Sequence, residues 1–478
     1  MIKVYLDWNV LSGMKRGAFS EFRTIISDKE KFLTPYSTSH IGDILASHSE
    51  DNKQKNIIQE DLEYISLVTE DNCFYNSGEE VYLGFKNPQK LYKDRINTSD
   101  IFNDFSIDNL FAPLEEDDFL SPFVNILKEL LKSIPLEKGF KDAFNDPKSS
   151  KEMDKIFPGL KDDLSFEGWF KYFGNLYNRM NETDDYKILR DSVQKIGISS
   201  GHFNENEDPF DIIEKAYKKL GINNPHEFKS QDLNKNAPDW FNEISNEYIM
   251  LDMHGYKQDK IKVTDKKKNT FKNLTEDSFH SAFASRCDFY ITNDKRNIKK
   301  TKAVYSKLNI KTLVLTPSEF IDYYKEFLNA KTFGEHLQNL VSVIETGKGY
   351  NFLEKETYEE GKMTCLFGVS NYYFFNFFNQ IRTCYSPNAP SFYILSKRHP
   401  ARISYTAIKE ISSLINNLIN NLGIDNDKKG FYDDNEIKLD DEWEGRIWMQ
   451  KPFRIYLKRI NGWFQLYIYP NTQSEEQN

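Results

Sequence analysis

The sequence predicts an α/β core on a mostly parallel sheet, interrupted by a helical insertion and followed by an α+β domain. Three observations carry that reading. Two distant segments each run as a short apolar strand into an acid, residues 2–6 before Asp7 and residues 289–291 before Asp294. Residues 2–6 are mostly apolar on both faces and 289–291 are a β-prone apolar run, as a central parallel strand requires, and helical spacing surrounds them. Near the carboxyl end, residues 453–460 and 463–469 flank Asn461-Gly462, the strongest short signal for an antiparallel hairpin.

Length sets the domain plan. At 478 residues the chain exceeds what one core usually organises. Composition shifts divide it into 1–71 and 238–330 as two parts of one core, 72–237 as the insertion and 335–478 as the last domain. Aromatic residues at 15% predict large cores, and a net charge of −10 means that any polyanion must be met by a local basic patch. Cys73, Cys287, Cys365 and Cys384 lack zinc-ligand spacing and are too few for a disulfide scaffold, so a reduced, cytoplasmic setting is expected. Asp7 interrupts the first apolar run before a signal-peptide core could form. No run of about 18 apolar residues is present, so no membrane partner is expected.

The elements follow in order. Residues 12–28 read as helical, and Ser37, Thr38 and Ser39 offer caps for a helix over about 40–50 that carries His40 and Asp43. Residues 56–63 continue helically, and the β-prone run 64–69 reads as a second strand. In the insertion, 123–133 and 209–220 have helical patterns between polar connections. Residues 239–255 predict a strong helix with Gly255 as its C-cap. A short helix then starts near Glu276 or Asp277, where the first turn favours a carboxylate, and places Phe279, Ala282 and Phe283 on one face. Residues 311–316 predict a final parallel strand, and Pro317 opens a closing helix. In the last domain, 403–422 is helical, and the aromatic run through Tyr372–Phe378 is expected in the core rather than stacking bases.

In parallel sheets, ligands bind at the carboxyl ends of strands, which puts Asp7 and Asp294 at the functional edge with Asp277 expected to face it. Asp7-x-Asn9 after a strand, a helix bearing Asp43, then Asp277-x-x-His280-x-x-x-Ala284 followed by Cys287-Asp288-x-x-x-Thr292-Asn293-Asp294, together resemble the PIN domain. That family comprises metal-dependent nucleases, most of which cut RNA. The resemblance covers about 1–70 and 240–325 and implies a three-layer α/β core. It implies that Asp7, Asp43, Asp277 and Asp294 are the catalytic, metal-holding acids, although the second position is more often Glu in the family. Asn9, Thr292 and Asn293 match its polar companions. His40 and His280 each lie three residues from an acid on a helix face, as supports for the ligands or donors to phosphate.

Chemistry points the same way. Four converging carboxylates repel one another until a cation joins them, and hard oxygen ligands select Mg²⁺ or Mn²⁺. Lysines 257, 260, 262, 266, 267, 268 and 272 precede the second acid-bearing strand, and Lys295, Arg296, Lys299, Lys300 and Lys302 follow it, as a phosphate backbone requires. The expected activity is endonucleolytic hydrolysis of RNA. DNA cutting of the flap type, a silent RNA- or protein-binding scaffold and a small-molecule phosphohydrolase are the alternatives. The extra domains suggest a nuclease regulated by a protein partner or self-association, in stress or antiviral defence.

Overall fold

The computed structural model describes residues 1–47, 52–99, 145–147, 149–151, 185–196, 198–219, 237–258, 263–264, 267–268, 271–358, 363–387, 389–398, 404–437 and 443–471. The helix expected over 123–133 and Lys260, Lys262 and Lys266 lie outside them. The chain is mixed α/β, with short parallel strands among helices and a carboxyl-terminal antiparallel sheet. It forms two compact units, one of Val4–Ser20 with Thr34–Pro317, the other of Met1–Lys3, Glu21–Leu33 and Ser318–Asn478. Among the described residues no helix is long and apolar enough to cross a membrane.

The strands, in chain order, are β1 (Ile2–Leu6), β2 (Phe32–Leu33), β3 (Tyr36–Ser37), β4 (Asn72–Asn76), β5 (Val81–Phe85), β6 (Val263–Thr264), β7 (Lys267–Lys268), β8 (Phe289–Ile291) and β9 (Leu313–Leu315). β10 (Tyr350–Tyr358), β11 (Met363–Phe374), β12 (Phe378–Ser386), β13 (Ala389–Ser396), β14 (Arg446–Gln450), β15 (Phe453–Ile460) and β16 (Trp463–Pro470) follow.

In the unit containing 34–317, β8 is central. It pairs in parallel with the second half of β1, Val4 with Phe289 and Leu6 with Ile291, and with β9 on its other side. Val4, Tyr5, Leu6 and all three residues of β8 are buried, which explains their unbroken apolar sequence. Helix Phe271–Ala284 packs against helix Asp239–Met253 through Phe241, whose ring lies 5.3 Å from Phe279 and 4.9 Å from Phe283. Gly255 has φ +89° and Tyr256 N–H donates to Leu251 O at 2.8 Å, so the expected glycine cap forms.

Three local expectations change. Residues 64–69 are the end of helix Asn52–Thr69, because Leu62, Ile65, Val68 and Thr69 recur at helical spacing and are buried on one face. The strand there is β4, three residues later. The stretch 12–28 is two helices, Trp8–Lys15 and Ser20–Ile26, separated at Gly17, which has φ +86°. The helix expected to begin near Glu276 begins at Phe271, which is fully buried, so Glu276 and Asp277 lie in its second turn.

The other unit holds a seven-stranded antiparallel sheet, ordered β10-β11-β12-β13-β16-β15-β14. Helices Phe333–Thr346 and Ser404–Leu422 supply Leu340, Val343, Leu414, Ile415 and Leu418 to one core with Ile381, Leu395, Leu466 and Trp448 of the sheet. Asn461 (φ +51°) and Gly462 (φ +80°) make the predicted two-residue hairpin. The aromatic run turns the β11–β12 corner, and Tyr372, Phe374, Phe375, Phe377 and Phe378 all enter that core. Cys365 and Cys384, directly opposite on β11 and β12, form a disulfide that their spacing did not announce.

The same unit buries a charged triad. Glu410 accepts from Lys3 at 3.0 Å and from Lys397 at 2.9 Å, and Lys397 also donates to Met1 O at 2.7 Å. Burial alone would raise the Glu410 pKa, but the two ammonium groups outweigh it and hold the carboxyl well below its usual range. A depressed native pKa gives stability that is present above the unfolded value and lost as pH falls through the native one. Glu410→Gln strands two buried cations and should cost about 3–5 kcal/mol in urea unfolding at pH 7, with the gap to wild type narrowing below about pH 4. A loss under about 1 kcal/mol would contradict this account.

Candidate metal centre

The parallel pairing of β1 and β8 carries the next residue of each strand to the same edge. Asp7 N–H donates to Ile291 O at 2.9 Å, and Thr292 N–H to Leu315 O at 3.1 Å. Asp7 also stands at the N-cap of helix Trp8–Lys15, yet its side chain makes no capping bond. Its Oδ2 instead accepts from Thr292 Oγ1 at 2.5 Å and from Asn9 Nδ2 at 2.6 Å. Asn9 completes the bracket by accepting from Asn293 N–H at 3.1 Å. The carboxylate is therefore fixed in direction and nearly buried.

Helix Thr38–Ser47 contributes Asp43 and helix Phe271–Ala284 contributes His280. His280 Nε2 lies 2.8 Å from Asp43 Oδ2, and ligand atoms of Asp7, Asp43 and His280 all fall within 4.8 Å of one another. This group could hold a metal ion. The other nitrogen of His280 meets the Tyr5 hydroxyl at 2.7 Å, and Tyr5 in turn meets Ser37 Oγ at 2.5 Å. A ligating imidazole needs such a partner to fix its tautomer and ring plane.

The two helices approach closely because Gly42 has no side chain. A Cβ there would fall on the Glu276 carboxylate and 2.7 Å from Arg95 Nη1. Glu276 is buried and accepts from Arg95 Nη2 at 2.6 Å, while Arg95 Nη1 donates to Thr38 O at 3.0 Å. This pair ties helix Pro88–Ser99 to the helices bearing Asp43 and His280.

Electrostatics are adverse without a cation. Burial raises the Asp7 pKa, and the charges of Asp43 and Asp294 add to it against the opposing effect of His280. Burial raises Asp43 as well, with Glu276 adding and His280 and Arg95 opposing. Burial would lower His280, but Asp43, Asp7 and Glu276 reverse this and leave it raised. A divalent cation would relieve both carboxylates, so the donor set and its environment fit one.

The remaining predicted residues take other positions. Asp294 is exposed and caps helix Lys295–Lys307, accepting from Arg296 N–H at 2.7 Å and Asn297 N–H at 3.2 Å, while its charge acts on Asp7. Asp277 is half-buried, one position beyond Glu276, and its charge acts on the Tyr290 phenol; it lies outside the group of three. His40 is fully buried, accepts from Ser37 N–H at 3.0 Å and bonds Leu6 O at 2.7 Å. Burial lowers its pKa strongly, so it is a neutral brace between β1 and its helix. Lys295 is exposed, but Lys299 is paired with Glu205 at 2.8 Å, and Lys300 is buried on Asp252 at 3.2 Å. Tyr5 and Arg95 escaped sequence reasoning, and the sequence marks Ser37 and Glu276 only as helix-start residues.

Raised carboxylate pKa values mean stability regained as pH falls, and the raised His280 pKa means stability lost as pH climbs through its native value. Metal-free protein should therefore gain stability as pH falls from the alkaline side through the raised native pKa values of His280 and the two carboxylates. Asn at position 7 can still accept from Thr292 and Asn9. Asp7→Asn should thus match or exceed wild type in metal-free melting temperature and flatten that pH dependence. Mn²⁺ should raise the melting temperature of wild type by several degrees and that of the variant by far less, whereas an equal rise in both would exclude Asp7 as a ligand.

No protein-family model, curated protein or solved structure matches the chain, so the function of this centre is read from its own geometry.

Proposed function

We propose that the chain is a metal-dependent endoribonuclease with a three-layer core of the PIN type. The observation that carries the proposal is the convergence of Asp7, Asp43 and His280 at the carboxyl end of β1, beside the Thr292-Asn293-Asp294 edge. The order of these segments, and the positions of Asn9 and Thr292 on Asp7, support the family reading. Four acids are not gathered equally. Asp7 and Asp43 are the inner pair, Asp294 acts on Asp7 through its charge, and Glu276 rather than Asp277 stands nearest to Asp43 and His280 in electrostatic terms.

The imidazole in the donor set favours Mn²⁺ over Mg²⁺, which prefers an all-oxygen shell. Once bound, the cation supplies a water of lowered pKa and neutralises charge on the scissile phosphate. The chain's own groups do the rest. Thr292 and Asn9 hold Asp7 in one rotamer, Tyr5 and Ser37 hold the imidazole plane, and Arg95 keeps Glu276 from adding its full negative charge to the cluster. The exposed edge at Asn293, Asp294 and Lys295 leaves room for a long substrate to approach, which favours a polymer over a small phosphate ester.

The test is cleavage of end-labelled single-stranded RNA, single-stranded DNA and flapped DNA with Mn²⁺, Mg²⁺ or EDTA. Wild type should cut RNA with Mn²⁺ and not with EDTA, and Asp7→Asn and Asp43→Asn should each fall by about 100-fold or more. Preference for flapped DNA would move the chain to the DNA-cutting alternative. Cleavage in EDTA, or full activity in both variants, would defeat the proposal.

A further inference from the structure

The seven-stranded sheet has a second face that the core does not use. Alternation along each strand sends Leu395, Leu466, Ile468, Ile455 and Leu457 into the helix-covered core. The intervening residues form a cross-strand row on the opposite face. Arg382 pairs with Phe367 and Ile394, Ile394 with Tyr467, Tyr467 with Tyr456, and Tyr469 with Arg454. All of these stay half-buried, unlike their inward neighbours.

The rings are ordered. Phe392 stacks on Tyr469 with centroids 4.8 Å apart, Tyr467 and Tyr469 lie nearly parallel at 6.1 Å, and Tyr456 meets Tyr469 edge-on at 5.8 Å. Cations are set among them. Lys458 Nζ lies 5.8 Å from both the Tyr456 and Tyr467 rings, and Arg382 Cζ lies 5.4 Å from Phe367. Arg382 is partly committed to Glu356 at 3.4 Å, whereas Lys458 has no carboxylate within ion-pair distance among the described residues. Burial against protein alone calls for aliphatic residues and no such cations. A row of aromatic faces interleaved with positive charge is complementary to unpaired bases and their phosphates.

We propose that this open face, centred on Tyr456, Tyr467 and Tyr469 with Lys458 and Arg382, is a binding platform for single-stranded RNA. Single strands are specified because stacking on a ring needs a base whose face is free, which a duplex does not offer. The choice of RNA over DNA rests on the nuclease reading, but binding itself does not. The platform would grip the chain of the substrate independently of the acid cluster.

Fluorescence anisotropy of a labelled single-stranded RNA of about 12 nucleotides, with full-length protein in EDTA, tests this without cleavage. Tyr467→Ala and Tyr469→Ala should each weaken binding by about tenfold, and Tyr467→Phe, which keeps the ring, should restore it. Lys458→Gln should lower the slope of log affinity against log salt by about 1, and duplex RNA should bind more weakly than the single strand. If an alanine variant melts early, the exposed Lys458→Gln change gives the reading without that complication. No binding by wild type, or equal binding by all folded variants, would overturn the platform. RNA binding in EDTA together with no cleavage of the same RNA when Mn²⁺ is added would keep the platform and defeat the nuclease reading, and Mn²⁺-dependent cleavage with unaltered binding in the variants would do the reverse.

Discussion

The parallel pairing of β1 with β8 is the constraint on which the centre depends. Register places Leu6 beside Ile291, so the next residue of each strand, Asp7 and Thr292, emerges at one edge and the threonine hydroxyl reaches the carboxylate. A slip of one residue would turn Asp7 into the opposite side of the sheet and remove its bracket. Six buried strand residues hold that register, all of them apolar or aromatic, so the packing of the core and the aim of the acid are decided together. The same strand carries Tyr5, whose hydroxyl reaches His280 and Ser37 through the interior, linking the segments that bear His280 and Asp43 to the one that bears Asp7.

A second constraint is charge. Asp7, Asp43 and Glu276 come close without enough positive charge to balance them, since Arg95 is committed to Glu276 and a protonated His280 supplies only one further charge to two carboxylates. Contrast the Lys3–Glu410–Lys397 triad, where two cations surround one buried acid and depress its pKa. One cluster is closed and structural; the other is short of positive charge, as a cation-binding site would be and a structural ion pair is not. Asp294 shows the distinction on a single residue type, because its oxygen is spent on capping a helix whereas that of Asp7 is not.

How much was legible follows from what each feature depends on. Asp7, Thr292 and Asn293 could be read because each follows a strand, Asp43 because it shares a capped helix with His40, and the hairpin at Asn461-Gly462 because its turn demands positive φ at both residues. His280 was legible as a neighbour of an acid on a helix, but its closeness to Asp43 depends on two helices meeting at Gly42, which no local pattern records. Residues 64–69 misled because a β-branched run within a helix resembles a strand until its buried face is known. The disulfide between Cys365 and Cys384 depends on register between strands whose half-cystines are 19 residues apart. The basic segments before and after β8 read together as a phosphate-binding surface, yet Lys300, in the helix after β8, is a buried partner of Asp252, since charge alone does not say which lysines face solvent.

The most direct measurement is anomalous diffraction from crystals of the full chain soaked in Mn²⁺. The account predicts one strong peak bounded by Asp7, Asp43 and His280, at about 2.0–2.3 Å from their ligand atoms. A peak held by Asp277 and Asp294 instead, or no peak in that space at saturating Mn²⁺, would contradict it.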